Sequence, residues 1–300
     1  MIQVNNLIKE FDGFRALDGV NMHVKRGAIY GLVGPNGAGK STIIRHLTGV
    51  YRQNAGEVFV NGHEVYENRH IKEKIAYIPD ELFYFLQADT MEMMRYYEGL
   101  YPNFDREMFF VLKEYFPTID LKRNIRRLSK GMQKQVAFWL AICCKPEIMI
   151  LDEPVDGLDP VMRRQIWSIL MAEVAEREMT VVVSSHNLRE LEDVCDHVGI
   201  MNKGKVIIER SLSDLQGNVS KIQVACEGEL PKLSEEFKVL HASNIGRVYT
   251  LIVRGNPDKA VEEMTKGAKT VIVDVLPLSL EEIFIYEMGG VDYEVKEILF

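Results

Sequence analysis

Gly34-Pro35-Asn36-Gly37-Ala38-Gly39-Lys40-Ser41-Thr42 satisfies the pattern G-x-x-x-x-G-K-[ST] at every required position. Ahead of it, Ala28-Ile29-Tyr30-Gly31-Leu32-Val33 is an apolar run of strand length. Behind it, residues 41–49 carry Ile43, Ile44 and Leu47 at helical spacing, with Gly49 as a stop. Strand, glycine loop and helix thus follow in the order a phosphate cradle needs. The glycines let main-chain N–H groups turn inward, and the new helix offers its positive end to an anion. Lys40 is placed to reach β- and γ-phosphates, and Ser41 to hold Mg²⁺ through its hydroxyl. All nine residues, Gly34, Pro35, Asn36, Gly37, Ala38, Gly39, Lys40, Ser41 and Thr42, are candidate nucleotide contacts.

Matching charges sit further along. Glu147-Ile148-Met149-Ile150-Leu151-Asp152-Glu153 reads as a buried strand ending in two carboxylates. Apolar strands of this kind form the centre of parallel sheets, and ligands collect at their carboxyl ends, so Asp152 and Glu153 should arrive where the phosphates lie. His186 comes directly off the strand at 180–184; a lone histidine there is usually structural, but this one falls on the same sheet edge as Lys40 and Asp152. Leu128-Ser129-Lys130-Gly131-Met132-Gln133 precedes an apolar helix over 136–144, with Ser129 where an N-cap belongs. Asp156-Gly157-Leu158-Asp159-Pro160 is a turn, and Pro160 starts the next helix, 161–177.

The remaining segments frame these pieces. Residues 1–27 read as two strands around a turn at Phe11-Asp12-Gly13, and either Phe11 or Phe14 could stack on an adenine ring. Gly56 to Gly62 looks like a strand entering an Asn-Gly turn, and 75–79 a short strand stopped by Pro79. From 80 to about 126 the chain reads as a mostly helical insert whose many aromatics should be largely core. Leu82-Phe83-Tyr84-Phe85-Leu86 is denser than one helix face can hide and suggests a partner. A helix over 187–196 and a hairpin through Lys203-Gly204 follow. Near 210–219 the pattern breaks. A second, α+β domain over 219–300 is expected, with strands near 220–226, 237–243, 247–254 and 269–275 and helices at 257–265 and 279–288. The strand at 247–254 is apolar on both faces and so central.

At 300 residues the chain is long enough for two cores, and 47% hydrophobic with 27% charged residues is an ordinary soluble composition. No apolar run approaches the ~20 residues that span a bilayer. Lys9, Glu10 and Asp12 come too early for a secretory segment, so a cytosolic location is expected. The net charge is −8, and residues from 211 onward carry 15 acidic against 9 basic side chains, which argues against a nucleic-acid footprint there. Cys143, Cys144, Cys195 and Cys226 lack C-x-x-C spacing; the first two read as buried reduced thiols.

With these pieces in order, residues 1–210 resemble the nucleotide-binding subunit of an ATP-binding cassette (ABC) transporter. GPNGAGKST is similar to the Walker A loop, LSKGMQ to the family signature, IMILDEP to the Walker B strand, DGLD to the D-loop and SSH to the switch histidine. The signature beginning LSKG and the stretch 277–284 resemble the drug- and antibiotic-export branch most. The resemblance implies a P-loop NTPase core with a parallel sheet, an antiparallel β subdomain and a helical subdomain at about 81–140, followed by a C-terminal regulatory or dimerisation domain. It implies an ATPase that works as a head-to-tail dimer, homo- or heterodimeric, sandwiching two ATP molecules. A separate membrane permease would hold it peripherally on the inner face of the cell membrane.

Roles follow by motif. Phe11 would stack on adenine, and Ser129, Lys130 and Gly131 would contact the partner's ATP. Ser41 and Asp152 would hold Mg²⁺, Glu153 would polarise the attacking water, His186 would contact the γ-phosphate, and Asp159 would couple the two sites. Asp80 stands where the family usually has glutamine. A carboxylate is a good Mg²⁺ ligand, so Asp80 is expected to sense the metal and relay movement to the permease. Lys130, Met132 and Asp156 also depart from the usual residues, but Ser129, Gly131 and Glu153 remain, so hydrolysis is expected. The alternatives are a soluble ABC-type ATPase and a nucleotide-gated regulator.

Overall fold

The computed structural model describes residues 1–214, 219–226, 233–234, 236–266, 270–276 and 278–282. The chain divides into two compact units: Met1–Asn187 with Val194–Glu209, and Leu188–Asp193 with the chain from Arg210 onward.

The first unit starts as an antiparallel hairpin, β1 (Ile2–Phe11) and β2 (Phe14–Val24). Asp12 and Gly13 join them with φ of 47° and 83°, the two left-handed residues that a tight hairpin turn demands. β3 (Ile29–Val33) and α1 (Lys40–Leu47) flank the glycine loop. β4 (Ala55–Val60) and β5 (His63–Glu64) then complete a four-stranded sheet of order β2-β1-β4-β5, their turn made by Asn61-Gly62.

After α2 (Arg69–Lys72) and β6 (Ile75–Ile78) come three helices: α3 (Thr90–Leu100), α4 (Arg106–Leu112) and α5 (Lys130–Cys143). β7 (Ile148–Asp152), α6 (Pro160–Arg177), β8 (Thr180–Ser185), α7 (Arg189–Glu192), β9 (His197–Asn202) and β10 (Lys205–Ser211) follow. The six-stranded sheet has the order β10-β9-β3-β8-β7-β6, and β9, β3, β8, β7 and β6 pair in parallel. Every residue of β3, β7 and β8 is buried, as strands covered on both faces must be. One apolar core joins the two sheets: Ile2, Leu7 and Val20 pack in the same cluster as Tyr30, Leu32, Ile150 and Val182, and Ile43, Ile44 and Leu47 of α1 close it.

The insert is less helical than its composition suggests. Residues 80–89 form no helix, because a capping box between Asp89 and Glu92 starts α3 at Thr90. The expectation that most insert aromatics are core is also corrected. Tyr84, Phe109 and Phe116 are buried, whereas Phe83, Phe85, Tyr96, Phe110 and Tyr115 are exposed. Phe109 and Phe116 gather around Trp139 of α5, which stacks on them at 4.5 Å and 5.4 Å and donates its indole N–H to the Phe109 carbonyl, while the Tyr84 hydroxyl donates to the Gln133 carbonyl. One such indole fills the middle of the insert, leaving little room for the other rings. The helix read over 187–196 is shorter too: α7 is a single turn, and the Asn187 N–H donates to Ser185 Oγ instead.

The second unit holds β11 (Val219–Cys226), β12 (Lys238–Ile245), β13 (Val248–Arg254), α8 (Pro257–Lys266) and β14 (Thr270–Leu276). Its antiparallel sheet runs β12-β13-β11-β14, so β13 is interior, as its two apolar faces require. Ile222, Val224, Leu251 and Val253 form its core with Ala260 and Met264 of α8. Residues 280–282 are helical; the rest of the helix expected over 279–288 lies outside the described residues. Among the described residues, no helix is long and apolar enough to cross a membrane.

Candidate functional site

Because β3, β7 and β8 run parallel and in register, their carboxyl ends stop together. Val33 pairs with Ser185, and Asp152 with Ser184. The glycine loop leaves β3 at this edge. Gly37 and Gly39 are left-handed, with φ of 80° and 107°, and Gly39 caps α1. A Cβ at Gly34 would lie 2.3 Å from the Met201 carbonyl of β9, and one at Gly39 2.9 Å from Leu17, so bare backbone is needed at both. The loop is also tied down from outside: the Gly204 N–H donates to the Ala38 carbonyl. Pro35 and Thr42 are half-buried, whereas Asn36, Gly37 and Ser41 are exposed. Lys40 is buried and donates to the Gly34 carbonyl at 2.7 Å.

The two carboxylates behave differently. Asp152 is buried, and the Ser184 hydroxyl donates to it at 2.6 Å. Glu153 follows with φ 47°, a left-handed conformation that turns its side chain out of the strand. Its Oε1 lies 3.5 Å from Lys40 Nζ, and its Oε2 lies 2.9 Å from His186 Nδ1 and accepts the His186 N–H at 3.3 Å. Both main-chain groups of Glu153 are held as well: its N–H donates to Ser184 Oγ, and its carbonyl accepts from Lys134 Nζ at 2.9 Å. Lys40, Asp152, Glu153 and His186 are thus brought to one edge, as read from their strands. Ser184 and Lys134 were not foreseen. The signal for Ser184 was a hydroxyl at the end of a valine strand; for Lys134 it was a charge inside an apolar helix.

The other candidates lie as follows. Ser129 caps α5, accepting the Met132 N–H, with Lys130 exposed in the first turn and Gly131 half-buried. Asp159 caps α6 by accepting the N–H groups of Val161 and Met162. Asp80, just past β6, is more than half exposed, and its Oδ1 lies 3.8 Å from Lys134 Nζ. Phe11 is partly exposed, meets Tyr51 edge-on at 5.4 Å and lies under the Lys9 ammonium at 5.0 Å; Phe14 is more exposed still. Neither phenylalanine is core. No sequence signal pointed to Tyr51. The thiols of Cys143, Cys144 and Cys195 are buried, and burial pushes the Cys143 pKa up to about 12, so these cysteines are inert.

The donor set suits a hard divalent cation carried with phosphate. Asp152 is a buried carboxylate whose Oδ1 has a neutral hydroxyl donor, and Ser41 offers an exposed hydroxyl one residue beyond Lys40. A triphosphate would find loop amides, the end of α1 and the Lys40 ammonium together. This is the site of a phosphate-loop nucleotide-binding protein.

Comparison with known proteins narrows the class. The ABC transporter family profile matches residues 17–156. The "Uncharacterized ABC transporter ATP-binding protein YcbN" of Bacillus subtilis (strain 168) is 33% identical over 83% of this chain and 84% of its own length. The "Bacitracin transport ATP-binding protein BcrA" of Bacillus licheniformis is 28% identical over 97% of this chain and 98% of its own, the C-terminal unit included. Among solved structures, the dimeric bacterial ABC transporter cassette MJ0796 shares the fold at 22% identity, with a TM-score of 0.65 over 71% of this chain and 99% of that one. The chain belongs to the ATP-binding proteins of ABC transporters, whose domains are Mg²⁺-dependent ATPases.

Lys40→Ala removes the buried ammonium at the mouth of the loop. It should weaken ATP binding by about a hundredfold, the value of one or two charge-assisted hydrogen bonds. Titration with a fluorescent ATP analogue measures this, and unchanged affinity contradicts the loop's role.

Proposed function

We propose that this chain is the ATP-hydrolysing subunit of an ABC exporter, working as a head-to-tail dimer that drives a separate membrane permease. The observation that carries the reading is Glu153, whose carboxylate is held between Lys40 and His186 beside the phosphate loop. In the proposed reaction Lys40 neutralises phosphate charge, while Glu153 accepts a proton from the attacking water. His186 holds that carboxylate in line and contacts the γ-phosphate. Mg²⁺, held through Asp152 and Ser41 and sensed by Asp80, would supply further charge neutralisation. Hydrolysis of this kind needs little covalent chemistry from the protein, so positioning and electrostatics carry most of the acceleration. Phe11 would stack on the adenine ring. Ser129, Lys130 and Gly131 would meet the ATP held by the partner subunit, and Asp159 would couple the two sites; the dimeric state of MJ0796 supports this part. The similarity to a bacitracin transport protein supports export.

The permease would dock on the insert. Phe83, Phe85, Leu86, Tyr96 and Leu100 are exposed, with Phe85 and Tyr96 in edge contact at 4.9 Å. An open groove of about 570 Å³ lies along the far end of α3, between Gly99-Leu100-Tyr101 and the charged residues Glu67, Arg69 and Lys72 at and before α2. An apolar patch beside such a groove suits an amphipathic helix. Peripheral attachment to the inner face of the cell membrane would follow from this docking.

The C-terminal unit would regulate the ATPase. It includes Leu188–Asp193, the segment that begins two residues after His186. Within it, Arg189 Nε lies 2.7 Å from Glu281 Oε2, and the Leu280 N–H donates to Glu192. These contacts would set how freely the switch histidine moves.

Three outcomes test the parts separately. Glu153→Gln should keep ATP affinity, lower phosphate release by about 10²–10⁴-fold and elute as a dimer with ATP on a sizing column; full turnover removes Glu153 as base. Phe85→Ala with Tyr96→Ala should leave ATP affinity intact but release the chain from sedimented membranes of its own cells; unchanged sedimentation rejects the docking site. Glu281→Lys should shift basal turnover by several-fold at constant ATP affinity, and an unaltered rate rejects a regulatory contact at Arg189.

A further inference from the structure

We propose that Lys134 is a positioning residue for hydrolysis: its buried ammonium fastens the main chain of Glu153 and takes Asp80 as its counter-charge. The end of β6 and the reacting carboxylate are thereby coupled through a single side chain. The inference rests on Glu153 as the general base.

Among the described residues, two lysines are less than 10% exposed, Lys40 at 6% and Lys134 at 8%. Both end on Glu153. Lys40 faces its carboxylate, and Lys134 donates to its carbonyl oxygen at 2.9 Å. A lysine is rarely buried without a charged partner, because desolvating an ammonium is costly. The anion within ion-pair distance is Asp80, with Oδ1 3.8 Å away. That spacing is an ion pair rather than a hydrogen bond, and the Asp80 side chain is 56% exposed and free to turn.

The second observation is the backbone of Glu153. A non-glycine residue with φ 47° is strained and persists only where its surroundings over-determine it. Two side chains do so, from opposite sides. Ser184 of β8 accepts the N–H, and Lys134 of α5 donates to the carbonyl. The left-handed turn aims the carboxylate at Lys40 and His186. Loosening the carbonyl therefore lets the carboxylate swing from the line of attack without touching the phosphate loop. Because the same ammonium faces Asp80, a displacement of Asp80 changes the charge balance at the Glu153 carbonyl. Lys134 touches no reacting atom; it acts through Glu153.

The test is a five-protein series on the full chain: wild type, Lys134→Met, Asp80→Asn, Lys134→Gln, and Asp80→Asn with Lys134→Gln. Lys134→Met should lower kcat by about tenfold or more, with the KM for ATP and the affinity for a fluorescent ATP analogue within about twofold of wild type. Asp80→Asn strands the ammonium and should also lower kcat. The neutral pair Asp80→Asn with Lys134→Gln should turn over faster than Asp80→Asn alone, because no charge is stranded and an amide can still donate to the Glu153 carbonyl. A kcat within about twofold of wild type in Lys134→Met, or a loss shared equally between affinity and kcat, overturns the proposal. So does strict additivity in the neutral pair. Thermal unfolding midpoints of the series without nucleotide give a readout independent of turnover and show whether Lys134→Met folds. Non-additive midpoints support the ion pair, and additive ones overturn it. A wild-type chain that releases no phosphate from ATP defeats the functional reading instead, and the midpoints then decide the pair by themselves.

Discussion

Three strands buried on both faces have to end together, and the chemistry of this protein depends on that constraint. β3, β7 and β8 are neighbours in a parallel sheet with no slack in register, so the residue after each strand emerges within a few ångströms of the others. The phosphate loop, the two carboxylates and the histidine occupy those three places. None of them needs a long side chain to reach across; the sheet delivers them. The cost is that each departing residue must turn sharply out of a strand with no exposed backbone to spare.

Glu153 shows how the cost is met. It leaves β7 in a left-handed conformation, and its N–H and carbonyl are taken by Ser184 and Lys134. Ser184 serves both carboxylates, donating to Asp152 while accepting from the Glu153 main chain. A short hydroxyl and a buried lysine thus hold two acids in one corner with different surroundings. Asp152 is sunk where a cation suits it, whereas Glu153 is turned toward Lys40 and His186. Electrostatic preorganisation of this kind needs no movement at the moment of reaction.

The insert answers a different constraint. Trp139 fills its centre with Phe109 and Phe116, and Phe83, Phe85, Tyr96, Phe110 and Tyr115 are left exposed. A surface that carries Phe83, Phe85 and Tyr96 in the open is poorly suited to solvent, and it lies on the element that starts just beyond Asp80. The same stretch of chain therefore joins a patch fit for a partner to the ion pair that reaches Glu153. Beyond β8, Leu188–Asp193 is grouped with the C-terminal unit.

Much of this was legible in the sequence because it is decided over a few residues. Lys40 follows its own glycine loop, Ser129 sits where α5 needs its cap, Asp159-Pro160 opens α6, and the apolar runs at 28–33 and 147–153 read as covered strands. The family motifs added roles to residues whose positions the local pattern had already placed. What the tertiary structure alone decided are contacts across long stretches of chain. Lys134 meets Glu153 over 19 residues, Ser184 meets Asp152 over 32, and Glu153 meets His186 over 33. Propensity and periodicity are blind to such pairs, because their energy comes from packing and from desolvating charge, which exist only once the sheet has closed. The same reason explains the aromatics: helical spacing cannot say which rings lose the competition for one indole-filled core.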